Sequence, residues 1–306
     1  MTRRYSVFCI SSPLQAENAR KAADFFQIPS GRISVLLFDH ALGRDFERVK
    51  ISLGWLFDKA QVIKIDYKTS SLLRRMKFLA REGKWSIFDV FVGDWNNKLP
   101  KFFALHPCFG HFYALDDGSA SFAIARRVQR LSWFYKLAPR FKPIFVTRYA
   151  IEGLCPSFKV FRLPSSSHHR EQEDVVVFIG CPVVEKNIVD SGCYSEVLAV
   201  AKKHFSSSRL LYYPHRHEKG LALPDGITEI LPEVGIEEWF NSLEKSPRAI
   251  VSLFSTALFN IKADNPDVDA FFVRIFPEEL KDRAVEIEGL YAELDQSAEF
   301  IELKRL

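Results

Sequence analysis

The sequence predicts an α/β protein made of two doubly wound, Rossmann-like domains. Three observations predict it. Short apolar runs alternate with helical patterns through both halves, and that alternation builds parallel sheets. A polar, Ser-rich stretch at 164–174 has no apolar period and separates the two series. The length of 306 residues suits about two domains of about 150 residues each.

In the first half, Tyr5–Ile10, Ile33–Phe38, 61–66 and 87–92 read as strands. A helix follows Ser70-Ser71, where Leu72, Leu73, Met76, Leu79 and Ala80 form one apolar stripe and Gly83 lies past the end. The run 112–115 reads as a strand ending in the turn Asp116-Asp117-Gly118, with 119–124 as the return strand of a hairpin. In the second half, strands are expected at 175–179, 210–213, 228–231, 250–253 and 271–275. Helices are expected at 191–204, 236–245, 255–262 and 278–303. The domains are therefore 1–165 and 174–306, with the final helix packing back on the first. Two such domains facing a cleft suggest the GT-B architecture, a fold analogy that does not itself establish function.

Composition narrows the classes. No apolar run approaches the ~18 residues of a membrane span. The start, Met1-Thr-Arg-Arg before an apolar run that stops at Ser11-Ser12-Pro13, is too short for a signal peptide and reads as a buried first strand. The five cysteines form no C-x-x-C pair, which argues against a zinc ribbon or a disulfide framework and for a reducing cytoplasm. Residues 1–150 hold 25 Lys and Arg against 12 Asp and Glu, whereas 151–306 hold 17 against 26. The halves therefore have different electrostatic partners.

In open α/β sheets, ligands bind beyond the carboxyl ends of the strands. Three loops of the second half lie there: Pro214-His215-Arg216-His217-Glu218, 232–238 with Glu237 and Glu238, and Phe254-Ser255-Thr256-Ala257. They offer an imidazole, a carboxylate and two hydroxyls at a helix start. That set suits a phosphate with a ribose beside it. No G-x-G-x-x-G follows the first strand of either half and no P-loop is present, which disfavours NAD binding and ATP hydrolysis.

These residues, in this order, resemble the bacterial GT-B-type sialyltransferases, the lipooligosaccharide sialyltransferase and capsular polysialyltransferase group. The shared marks are Ser12-Pro13-Leu14-Gln15 after the first strand, Asp116-Asp117-Gly118, His215 in Tyr-Tyr-Pro-His-Arg-His-Glu, and Ser255-Thr256. The segment from Phe178 through Gly180 to Lys186, followed by Tyr194, resembles the start of their nucleotide-binding domain. The sequence departs from many relatives in carrying Arg216, not Pro, after His215. A His106-Pro107 dyad stands in the wrong half.

The resemblance implies an inverting, metal-independent transfer of sialic acid, or a related nonulosonic acid, from its CMP donor to a hydroxyl of a bacterial surface glycan precursor. One of Asp116 and Asp117 would be the general base, its pKa raised by the other. His215 would protonate or stabilise the departing phosphate. Ser255 and Thr256 would hold that phosphate, Glu237 the ribose, and Gly180 would approach the nucleotide; Arg216, where the sequence departs, would reinforce the phosphate or meet the donor carboxylate. Ser12, Pro13, Gln15 and Gly118 would line the substrate cleft. No metal or other cofactor is expected. The N-terminal domain would bind the acceptor and the C-terminal domain the CMP-sugar.

Each mark has a plainer reading. Asp-Asp-Gly is a common turn, Ser255-Thr256 an ordinary N-cap, and Glu237 a first-turn acid. His215 and His217 lack a third placed metal ligand, and His217 reads as a surface residue. Trp95-Asn96-Asn97 reads as a loop. From 119 to 150 there are seven basic residues, no acid and seven interleaved aromatics. That pattern suits an anionic membrane or glycan, or alternatively nucleic acid or a solvated helix face. The expectation is a cytoplasmic protein held peripherally at the inner membrane of a bacterium, with no nucleic-acid partner. The rival readings are a CMP-Kdo-type transferase and a non-enzymatic binding protein for anionic glycan or nucleic acid.

Overall fold

The computed structural model describes residues 4–38, 46–65, 87–118, 120–149, 151–164, 170–215, 217–231, 234–280, 284–296 and 300–303. The chain divides into two compact units, Met1–Pro164 and Ser165–Leu306.

The first unit is a parallel sheet of strands β1 (Tyr5–Ile10), β2 (Ile33–Phe38), β3 (Gln61–Ile65), β4 (Phe88–Val92), β5 (Phe109–Leu115), β6 (Pro143–Thr147) and β7 (Val160–Arg162). Their order is β3-β2-β1-β4-β5-β6-β7, and all pairings are parallel. The order reverses between β1 and β4, which makes a switch-point crevice at their carboxyl ends. Helix α1 (Pro13–Phe25) covers the sheet with Ala16, Ala19, Ala22 and Ala23, all buried. Four methyl-sized side chains let the helix lie close to the strands. Phe8 stacks on Phe91, and Phe91 on Tyr113, across the three central strands. Helices α2 (Phe46–Leu53) and α3 (Trp55–Lys59) complete that cover, with Val49, Leu53 and Leu56 in the same core.

The expected hairpin at 119–124 is not formed. Helix α4 (Ala120–Arg130) stands there, followed by α5 (Ser132–Leu137). Ser121, Ile124, Ala125 and Val128 are its buried residues. Their helical spacing outweighs the local β propensity of Phe122 and Ile124. Gly118, at φ +65°, makes the turn into the helix, a conformation that favours glycine. Strands β6 and β7 are additions to the expected set. The expected helix at 72–80 lies outside the described residues.

The second unit has strands β8 (Gln172–Ile179), β9 (Arg209–Tyr213), β10 (Ile227–Glu229), β11 (Ser246–Ser252), β12 (Asp269–Val273) and β13 (Phe300–Leu303). Their order is β10-β9-β8-β11-β12-β13, again all parallel. This is the doubly wound order, with its switch point between β8 and β11. Strand β11 begins four residues before the expected 250. Pro247 cannot donate to the ladder, and the β11–β8 register shifts between Pro247 and Ala249. Helices α6 (Ser191–His204), α7 (Ile236–Ser242) and α8 (Thr256–Asp264) fall where they are expected. The single helix expected over 278–303 is instead α9 (Ala284–Gln296) followed by β13, which pairs with β12. The run Phe300–Leu303, Phe-Ile-Glu-Leu, is too short to show a strand period against the helical pattern before it.

Candidate functional sites at the two sheet edges

In the first unit, Ser12 follows β1 and caps α1, its hydroxyl accepting from Gln15 N at 3.3 Å, with Pro13 at the first helical position. This holds the Gln15 side chain under the crevice. Gln15 Oε1 accepts from both the Ser11 N–H and the Ser11 hydroxyl at 2.9 Å. Its Nε2 donates to Asp117 Oδ1 at 2.9 Å. The Gln15 amide is thereby fixed in orientation, oxygen toward Ser11 and nitrogen toward Asp117. Gly93, just past β4, leaves the space that Gln15 fills, since a Cβ there would lie 2.5 Å from Gln15 Oε1.

The two aspartates have different environments. Asp116 is 1% exposed. Its Oδ2 accepts from the Arg148 N–H at 2.7 Å, and Thr147 and Ser121 add side-chain hydrogen bonds. Its carbonyl accepts from Asn18 Nδ2 at 3.1 Å. Asp116 therefore ties β5 to the end of β6 and to α1. Asp117 is only partly buried and directs its carboxyl to Gln15. Burial holds both carboxyls above their ordinary range. For Asp117 the like charge that adds to burial is Asp94, not Asp116, and the Gln15 hydrogen bond opposes both. The expected mutual effect within the pair is thus replaced by desolvation plus a carboxylate from the neighbouring strand end.

In the second unit, Gly180, Pro214-His215 and Ser255 follow the ends of β8, β9 and β11, which are adjacent strands. The loop carrying His215 is anchored by a residue to which the sequence assigns no role beyond its place in that loop. Glu218 folds inward, and its Oε2 accepts from the His215 N–H at 2.7 Å. Its Oε1 accepts from the Tyr212 hydroxyl at 2.9 Å and the Tyr194 hydroxyl at 3.2 Å. Tyr194 in turn accepts from the Cys181 N–H at 3.0 Å. Gly180 admits this carboxylate, because a Cβ would stand 2.5 Å from Glu218 Oε2 and 2.8 Å from the Tyr212 hydroxyl. Burial pushes Glu218 above its usual range, against three hydrogen bonds that lower it.

His215 is partly buried, and its Nδ1 accepts from the His217 N–H at 3.2 Å. A neutral His215 therefore carries its proton on Nε2. His217 is exposed. Ser255 caps α8, its hydroxyl accepting from Ala257 N at 3.3 Å, and Thr256 is the first helical residue. Glu237 on α7 accepts from Asn260 Nδ2 on α8 at 2.9 Å, while Glu238 is exposed. Asn260 thus joins the proposed ribose carboxylate to the helix that begins at Ser255. Arg216 lies outside the described residues.

The sequence reading missed Glu218, Tyr212, Asn18, Asn260, Gly93 and Asp94. A carboxylate three residues after His215 and a glycine ending β8 are the signals it had available. Among the described residues, no three His, Cys, Asp or Glu side chains gather as a metal site.

No family model matches the sequence, and no curated protein matches it. Solved structures do match. A UGT transferase from Siraitia grosvenorii, in complex with UDP, aligns at TM-score 0.51 over 96% of this chain and 92% of its own, at 11% identity. The spinosyn rhamnosyltransferase SpnG, complexed with thymidine diphosphate, aligns at TM-score 0.50 over 98% and 86%, at 11% identity. The fold is that of the GT-B glycosyltransferases. Its two parallel-sheet α/β domains are those expected from the strand–helix alternation.

Proposed function

We propose that the chain is an inverting glycosyltransferase that moves sialic acid, or a related nonulosonic acid, from its CMP donor to a glycan hydroxyl. The observation that carries the reading is that each sheet carries its motif on strand ends at or next to its switch point: Asp117 on Gln15 in one, His215 and Ser255 in the other. Asp117 is the base, since Asp116 is occupied within the fold. It takes the proton of the acceptor hydroxyl, and the acceptor oxygen bonds to the anomeric carbon. The bond from that carbon to the CMP oxygen breaks, and its electron pair passes to the phosphate. His215, with its proton on Nε2, stabilises or protonates that oxygen. Ser255, Thr256 and the α8 N-terminus hold the phosphate, Arg216 adds charge, and Glu237 takes the ribose.

Gly180 lies under the nucleotide, and Ser12, Pro13, Gln15 and Gly118 shape the acceptor side. In this reading residues 1–165 bind the acceptor, 174–306 bind the donor, and neither metal nor cofactor takes part. The acceptor is a bacterial surface glycan or glycolipid precursor, met at the cytoplasmic face of the inner membrane. In this reading the contact with the membrane is peripheral; no described helix is long and apolar enough to cross one.

A second reading keeps these residues and changes the donor. The two fold neighbours were solved with UDP and with thymidine diphosphate, so a nucleoside-diphosphate sugar, or another CMP-sugar such as CMP-Kdo, is the rival. Thermal protection by CMP, UDP and thymidine diphosphate, with and without EDTA, separates them. The CMP reading expects protection by CMP that EDTA leaves intact. Protection by a diphosphate alone, or loss of CMP protection in EDTA, overturns it.

A further inference from the structure

The first unit has an apolar surface at the end of its sheet opposite to Asp117. The 3₁₀ segments Leu99–Leu105 and Pro139–Phe141 run into the amino ends of β5 and β6, and α5 lies beside the second of them. Trp133 and Leu137 on α5 are 61% and 78% exposed, and Leu105 is 66% exposed. Phe102, Leu131 and Phe134 are exposed as well. The segments that carry them pack on one another. Phe134 contacts both Trp133 and Phe141. Arg140 then donates to the His106 carbonyl at 2.7 Å, which joins the Pro139–Phe141 turn to the end of the Leu99–Leu105 segment.

The same segments and their flanks carry a collar of exposed cations. Between Trp95 and Ile151 the sequence has nine Lys and Arg, and its only acids are Asp116 and Asp117, at the carboxyl end of β5. Lys98, Arg130, Lys136, Arg140 and Lys142 are exposed. We propose that this face docks the protein on an anionic lipid bilayer, with Trp133, Leu137 and Leu105 entering the interface and the collar meeting lipid phosphates. An indole and aliphatic tips inside a ring of cations match the layering of that interface. Charge argues against a second copy of the chain, because a two-fold contact would set collar against collar. Exposed leucines have no use on a nucleic-acid backbone, which asks for cations and stacking rings.

The orientation has a consequence that rests on the transferase reading above. Strand β5 spans from this face to Asp117, and its seven residues cover about 20 Å at ~3.3 Å per residue. The docked protein holds Asp117 that far from the lipid, a reach suited to an acceptor several sugars long.

The test is co-sedimentation of the full chain with vesicles of phosphatidylcholine alone and of phosphatidylcholine with phosphatidylglycerol. The proposal expects binding to the mixed vesicles that salt weakens. The variant Trp133→Ser/Leu137→Ser should lose about tenfold or more in partition. Arg130→Gln/Lys136→Gln should lose about fivefold per charge. Both variants should melt like the parent and keep CMP protection, which separates failure of this proposal from failure of the transferase reading. Equal binding by the parent and Trp133→Ser/Leu137→Ser overturns the docking face. So does binding by the parent to neither vesicle, or retention only by single-stranded DNA with a steep salt slope.

Discussion

Removal of the Glu218 carboxylate tests how the His215 loop is held. Glu218→Ala strips the acceptor from the His215 N–H and from two buried phenols. Hydrogen bonds to a charged group are worth ~1.5–3 kcal/mol each. Two effects reduce that loss. Tyr194 and Tyr212 keep each other at 3.1 Å, and the desolvation that raises Glu218 is relieved. The expected net cost is therefore about 2 kcal/mol, or roughly 6 °C in melting temperature for a unit of this size. Glu218→Gln keeps one acceptor for the His215 N–H and gains a donor for a phenol oxygen, so it should cost less than half as much. Gly180→Ala provides an independent check, because its Cβ would push the carboxylate aside while leaving it in the chain. Differential scanning calorimetry with and without CMP reads all three. If Glu218→Ala melts within about 1 °C of the parent and keeps full CMP protection, the anchoring role is wrong.

Other outcomes follow from the first unit. Gly93→Ala should displace Gln15 from Asp117. Losing a hydrogen bond to the charged form raises a carboxyl pKa, so the acid limb of the pH–rate profile should move to higher pH; an unmoved limb contradicts the Gln15–Asp117 link. The folded-state pKa of Asp116 is raised from 3.8, so the folded chain holds the proton longer than the unfolded one. Its contribution to stability is present below pH 3.8 and is lost as pH rises through the folded value. Asp116→Asn should flatten that fall in urea unfolding across acid to neutral pH, and an unchanged slope would place the pH dependence elsewhere. Replacing Asn260 by Ala should remove its hydrogen bond to Glu237 and weaken CMP protection more than stability; equal protection would detach Glu237 from the nucleotide.

Much of the fold was legible because strand and helix periods differ. The runs Tyr5–Ile10 and Ile33–Phe38 and the helix Ser191–His204 have the bounds that their patterns give. The failures share a cause. At 119–124 and 278–303 the local pattern favours one element, and packing selects another: Ser121, Ile124 and Val128 are buried along one helix, and Phe300–Leu303 finds an edge at β12. The motifs were visible as residues but not as roles. Nothing in Asp116-Asp117 says which carboxyl turns inward; that depends on the Arg148 N–H, more than thirty residues away. Glu218 was equally silent, since its partners Tyr194 and Tyr212 meet it only once β8, β9 and α6 pack.

The most direct test of the central claim is CMP release from CMP-sialic acid in the presence of a glycan acceptor, compared between the parent and Asp117→Asn. Loss of a general base costs about 10²–10⁴ in rate. The account predicts turnover by the parent without added metal and a fall of at least about a hundredfold in Asp117→Asn, with CMP protection retained. Equal turnover by the two proteins, or turnover only with a nucleoside-diphosphate sugar, would contradict it.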